Sequence, residues 1–124
     1  MNSVTLAFLG DAFFELIVRR KLAERSVAWS ADKLHFAAVH YVSASSQAKA
    51  MRALIEKGIL ADDETEIVRK ARNRKPKTVP KHTTPLEYKH ASAFEALLGY
   101  HYIEGDLARA EELSELAMEI IGAS

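Results

Sequence analysis

Apolar positions along this chain recur at intervals of three and four residues and nowhere alternate for long, a pattern that predicts helices and no sheet. The first helix covers residues 6 to about 24 and opens with Leu6-Ala-Phe-Leu-Gly-Asp-Ala-Phe-Phe-Glu-Leu-Ile-Val18, turning basic at Arg19, Arg20 and Lys21, as suits a helix C-terminus. Ser30 is a fitting N-cap for a helix of roughly 31–41, with Trp29 placed to staple against Lys33 or Leu34. Ser43 caps a third helix, about 44–57, with Ala44, Ala48, Met51, Leu54 and Ile55 at helical spacing and Gly58 after it. Asp63-Glu-Thr-Glu66 resembles a capping box for a fourth helix that runs to about Asn73. Thr84-Pro-Leu-Glu87 is the clearest start signal, combining cap, proline and box, and the helix behind it reaches about Glu104. Gly105 ends that helix and Asp106 caps the last, whose stripe is Leu107, Ala110, Leu113, Leu116, Ala117, Ile120 and Ile121. The expectation is an all-α bundle of six helices, one domain over residues 1–124.

Two of these helices are apolar on most sides, yet each carries acid. Asp11 sits inside the first with Glu15 one turn on, and Glu95 is the only acidic residue of Ala91–Ile103. An ionised carboxylate in an apolar setting is costly unless something positive meets it. Each helix also has a glycine close by, Gly10 and Gly99, so the pair is expected to face one another around a metal ion. At 100° per residue, Tyr88, Ser92, Gly99 and Tyr102 fall within about 60° of Glu95, giving it a polar strip with a side-chain-free gap one turn after it. Carboxylate oxygens with room for water suit Mg²⁺ or Mn²⁺. Structural readings stand beside this one: Glu15 pairing with Arg19 at spacing four, Asp11 bonding backbone amides, Glu95 meeting an arginine. His35 and His40 are five apart, off a shared face, and read as structural.

Composition narrows the classes. The chain is 48% hydrophobic with five Gly and three Pro, which is globular and ordered. It has no cysteine, which removes disulfides, thiolate metal sites and a cysteine nucleophile and is compatible with a reducing cytoplasm. Asp11 and Glu15 interrupt the first apolar run, so no signal peptide is expected, and no run is long enough for a membrane span. Net charge is zero, but the charges are segregated. Arg69, Lys70, Arg72, Arg74, Lys75, Lys77 and Lys81 fall in one acid-free stretch, whereas Glu104 to Glu119 holds six acids and one base, Arg109. Residues 74–83 contain two prolines and little apolar material, which predicts a basic loop. Its alternative is a merely solvated loop.

Leu9-Gly-Asp-Ala12 and Phe94-Glu-Ala-Leu-Leu-Gly99 resemble the two signature segments of the ribonuclease III family. With Val42-Ser-Ala-Ser-Ser-Gln-Ala48 and Arg69-Lys-Ala-Arg-Asn73 in order between them, the chain from Leu6 to about Ile121 resembles the small Mini-III branch of that family. The resemblance implies an all-helical catalytic domain that works as a homodimer and cuts both strands of double-stranded RNA with Mg²⁺, leaving 5′-phosphate and 3′-hydroxyl ends. It also implies maturation of 23S ribosomal RNA precursor as the setting. The family's motif carboxylates transfer to Asp11 and Glu95 as metal ligands and catalytic residues. Two further family acids fall on Ala7 and Ser92, so one well-held ion per subunit is expected.

Mini-III proteins lack a separate double-stranded-RNA-binding domain, and here the chain ends at Ser124, just after its last helix. RNA binding is therefore expected from the catalytic domain itself, through Arg72, Arg74, Lys75, Lys77 and Lys81, with Arg19, Arg20 and Lys21 as the other cationic cluster. The competing readings are a non-catalytic RNA- or ribosome-binding protein of the same fold, for which retained acids have no use, and a helical interaction domain, which leaves the basic stretch unexplained.

Overall fold

The computed structural model describes residues 1–123. Among them are six α-helices and no strand: α1 Ser3–Arg25, α2 Ala31–Val42, α3 Ala44–Glu56, α4 Asp62–Asn73, α5 Pro85–Glu104 and α6 Leu107–Gly122. Ser30, Ser43, Thr84 and Asp106 cap α2, α3, α5 and α6 as their sequence positions predict. Thr84 Oγ1 accepts from the Glu87 amide at 3.1 Å while Glu87 Oε1 accepts from the Thr84 amide at 3.2 Å, a reciprocal box. Gly58 and Gly105 have φ of 67° and 81°, the left-handed conformation that glycine adopts without a Cβ clash.

Three local expectations change. Helix α1 begins at Ser3, because Asn2 Oδ1 accepts from the Thr5 amide at 2.9 Å and caps an extra turn. Trp29 meets Lys33, one of its two expected partners, but by charge rather than as an apolar staple: the ammonium lies 4.4 Å from the ring centroid. Helix α4 starts two residues earlier than the Asp63 box predicts. Its N-cap is Ala61, and Glu64 reaches back to accept from the Ala61 amide at 2.8 Å, leaving Glu66 to bind Arg69 twice, at 2.7 and 3.0 Å.

Helix α5 is the axis of the bundle, with α1, α3, α4 and α6 packed on it and α2 laid against α1. Its face is lined by Ala93, Phe94, Ala96, Leu97 and Leu98, all fully buried, and Phe94 meets Phe14 of α1 edge to face with centroids 5.0 Å apart. The tightest approach is at the glycines. A Cβ built on Gly10 would lie 1.7 Å from the Glu95 carbonyl oxygen, and one built on Gly99 would lie 1.9 Å from that of Leu6. The two backbones touch there.

Electrostatics ties the periphery to this core. Glu64, 1% exposed, receives Arg109 at 2.7 and 2.9 Å and His101 Nε2 at 2.5 Å, joining α4 to α5 and α6. Burial alone would raise the Glu64 carboxyl, but hydrogen bonds from Arg109, the Ala61 amide and His101 outweigh it and hold it down at about 2. The basic end of α1 meets acidic α6 through Arg20–Glu111 at 3.3 Å and Lys21–Glu115.

The glycine packing predicts a large cost for small additions. Gly99→Ala should destabilise the protein by about 3 kcal/mol or more in urea unfolding, since rigid backbone rather than a movable side chain fills the space. A cost below about 1 kcal/mol would show that α1 and α5 can separate freely.

Candidate active site

Asp11 and Glu95 come together because their helices do. Gly10 lets α1 lie on the α5 backbone at Glu95 itself, and Asp11 is the next residue. Glu95 sits between the fully buried Phe94 and Ala96 and is half-buried, whereas Asp11 lies at the rim and is solvent-exposed. Asp11 is thus not the buried acid that its apolar helix suggests; it is the outer member of a pair whose inner member is Glu95. The two carboxyls are close enough to hydrogen-bond. Burial, then the hydrogen bond and negative charge of Asp11, push the Glu95 carboxyl up to about 8, with the Gln47 amide pulling the other way.

No arginine, lysine or histidine pairs with either carboxyl among the described residues. The arginine alternative for Glu95 is therefore not realised. Glu15 does take its structural alternative, accepting from Arg19 at 2.7 Å on the exposed side of α1. The gap expected beside Gly99 is closed by the backbone of Leu6, so it serves helix packing rather than a ligand. Of the strip around Glu95, Tyr88 and Ser92 are half-buried, and Tyr102 is 48% exposed with its ring tilted against Phe13 at 6.1 Å.

Gln47 of α3 completes the pocket, and the helical pattern held a signal for it. It occupies the apolar stripe one and two turns before Met51 and Leu54, both fully buried, and is itself 2% exposed. Its Nε2 donates to the Val42 carbonyl at 3.0 Å. Its Oε1 is the one buried side-chain oxygen or nitrogen among the described residues without a hydrogen-bond partner.

Two neighbouring carboxyls and the Gln47 amide that reaches one of them are a small set of hard oxygen donors, and no group of three or more acids, histidines or cysteines converges among the described residues. That donor set fits a small hard cation that keeps most of its waters, and fits poorly an ion needing a full protein cage. His35 and His40 are exposed on α2.

The basic residues form a separate surface. Lys75, Lys77 and Lys81 are exposed on the segment after α4, and Arg72 and Arg74 are half-buried. None of the five has an ion-pair partner among the described residues, whereas Arg69 is committed to Glu66, and Arg19, Arg20 and Lys21 to acids of α1 and α6. No helix among the described residues is long and apolar enough to cross a membrane.

A helical bundle that presents paired acids on two glycine-packed helices, with free cations on a neighbouring loop, is the architecture of a nuclease. The Ribonuclease III domain model matches residues 4–106. The chain is 40% identical over 118 residues to the Mini-ribonuclease 3 of Symbiobacterium thermophilum, covering 95% of this chain and 88% of that one. It is 36% identical over 121 residues to the Mini-ribonuclease 3 of a Thermoanaerobacter species, covering 98% and 83%. A crystal structure of a Fusobacterium nucleatum protein superposes with a TM-score of 0.83 at 27% identity, over 96% of this chain and 93% of that one. The chain belongs to the ribonuclease III family, and with it to the endoribonucleases.

The raised Glu95 carboxyl predicts a pH signature in the metal-free protein. Between the ordinary value of 4.5 and about 8 the folded state holds a proton that the unfolded state has lost. Stability in EDTA should therefore fall as pH rises through that window and level off above it. Glu95→Gln should flatten that part of the curve. An unchanged slope in the variant would place the titration elsewhere.

Proposed function

We propose that this protein is a single-domain endonuclease that hydrolyses double-stranded RNA with Mg²⁺, Mn²⁺ being an alternative, and that Asp11 and Glu95 are its metal ligands and catalytic residues. The observation that carries this reading is the pairing of Asp11 with Glu95 without any cation to offset them among the described residues. A bound divalent ion supplies a polarised water and stabilises charge on the phosphate under attack.

The chain's own residues do the rest. Gly10 and Gly99 fix the separation of the two acids, and buried Phe94 and Ala96 keep the Glu95 backbone from shifting. Asp11, solvent-exposed at the rim, is open to an arriving phosphate group. Near neutral pH Glu95 gives up its proton as the cation binds, so its own charge appears only when the site is loaded.

The duplex is held by Arg72, Arg74, Lys75, Lys77 and Lys81, whose cationic groups are not engaged in ion pairs among the described residues. A homodimer is supported by the apolar face that α1 and α5 leave open: Phe8 is 78% and Leu16 64% exposed, beside a shallow depression lined by Leu9, Ala12, Phe13 and Tyr102. Two-fold pairing there brings two sites to one duplex, one per strand. Precursor 23S ribosomal RNA in the cytoplasm is the natural substrate and setting we assign, on the family resemblance.

Incubation with long double-stranded RNA and Mg²⁺ tests the proposal: staggered cuts with 5′-phosphate ends are expected, and none in EDTA. Asp11→Asn and Glu95→Gln should each lower cleavage at least a hundredfold, with unchanged circular dichroism and a mass near twice the 13.8 kDa chain. A variant that cleaves within a few-fold of wild type removes that residue from the site.

Replacing Arg74, Lys75, Lys77 and Lys81 together by Ala should weaken duplex binding about tenfold or more near physiological salt. The slope of log affinity against log salt should become shallower by up to about one for each phosphate no longer neutralised. Unchanged affinity and slope would show that the RNA lies elsewhere.

A further inference from the structure

Gln47 is a polar side chain in a place that helix packing reserves for apolar ones. It is 2% exposed and shares its stripe with Met51 and Leu54, and its carbonyl oxygen has no partner. A buried amide oxygen left unpaired is destabilising, and a methionine of similar length would fill the space without that penalty. Something other than packing must account for it.

One of its N–H groups is used at the α2–α3 junction, on the Val42 carbonyl at 3.0 Å. The amide also reaches the Glu95 carboxyl, where it favours the charged form. What remains is Oε1, an acceptor without a donor on the same amide that reaches Glu95. Once the cation has left both acids ionised, neither carboxylate can satisfy it, because ionised carboxylates only accept. Water on a divalent cation can, since such water is a strong donor and two carboxylates leave most of a hydrated ion's sphere to water.

We propose that Gln47 is a positioning residue of the metal site, its N–H holding the Glu95 carboxylate and its Oε1 accepting from a cation-bound water. This rests on the reading of Asp11 and Glu95 as metal ligands. The rigid link to Val42 gives the role its geometry: α3 and the end of α2 fix the amide, the amide fixes Glu95, and the approach of α1 fixes Asp11 against it.

The test is Mn²⁺ affinity of the full chain without RNA, by calorimetry, comparing wild type, Gln47→Met and Glu95→Gln. Groups that orient metal ligands typically contribute ten- to a hundredfold in affinity. Gln47→Met should lose about that much, keep its helical circular dichroism, and regain cleavage as Mg²⁺ is raised, a rescue that a purely structural role would not give. Affinity within twofold of wild type in Gln47→Met, with binding abolished in Glu95→Gln, overturns the role of Gln47 and leaves the carboxylate site standing. Wild-type affinity in both variants removes the site itself, and the proposal with it. If Gln47→Met folds poorly, the side-chain amide signals of Gln47 in wild type decide by NMR. They should shift along the Mg²⁺ binding isotherm, and signals that stay still while Mg²⁺ binds overturn the proposal.

Discussion

Helices α1 and α5 lie closer than any pair of side chains would permit, and the site exists because of it. Gly10 against the Glu95 carbonyl and Gly99 against the Leu6 carbonyl leave no room even for a methyl group. Glycine inside a helix costs roughly 0.5–1 kcal/mol relative to alanine, so two of them at the centre of the fold lower its stability. What they give in return is position. With the backbones touching, Asp11 and Glu95 project from adjoining turns of two helices locked by Phe14 on Phe94, and little freedom remains for either acid to swing away.

Two glutamates of the interior show how differently the same side chain can be treated. Glu64 is enclosed by Arg109, His101 and the Ala61 amide, and its carboxyl is held at about 2; it is a rivet between α4, α5 and α6. Glu95 is pushed up to about 8 by burial and by Asp11, and has no positive partner. A satisfied buried acid stabilises the fold, whereas an unsatisfied one weakens it and persists where a ligand is to complete it. The contrast separates structure from function without reference to sequence motifs. Charge segregation divides in the same way: the basic end of α1 is engaged by α6, while Arg74, Lys75, Lys77 and Lys81 after α4 have no ion-pair partner among the described residues.

Much of the fold was legible because its signals are local. Capping residues, the Thr84–Pro85–Glu87 start and the helical spacing of apolar residues each act within one or two turns, and they marked all six helices to within a few residues. The Asp63 box misled by resembling a cap two residues off, when Glu64 had longer-range partners to satisfy. Asp11 and Glu95 were legible as misplaced charge, but which would be buried and which exposed depended on how deeply α1 settles on α5. Arg109 looked like the odd base in an acidic helix, and only tertiary structure shows it as the counter-ion of Glu64. Gln47 was readable in principle, as a polar residue in an apolar stripe, but its meaning needs the carboxyls that α5 and α1 bring beside it.

At the centre of the proposed function is one cation site formed by Asp11 and Glu95, whose inner acid is protonated until the cation arrives. Calorimetric titration of the RNA-free protein with Mn²⁺ near pH 7, in buffers of different ionisation enthalpy, measures the protons released per ion bound. Release approaching one proton per chain is expected, with binding and release both lost in Glu95→Gln. Mn²⁺ binding with no proton release, at the same affinity in wild type and Glu95→Gln, would contradict it.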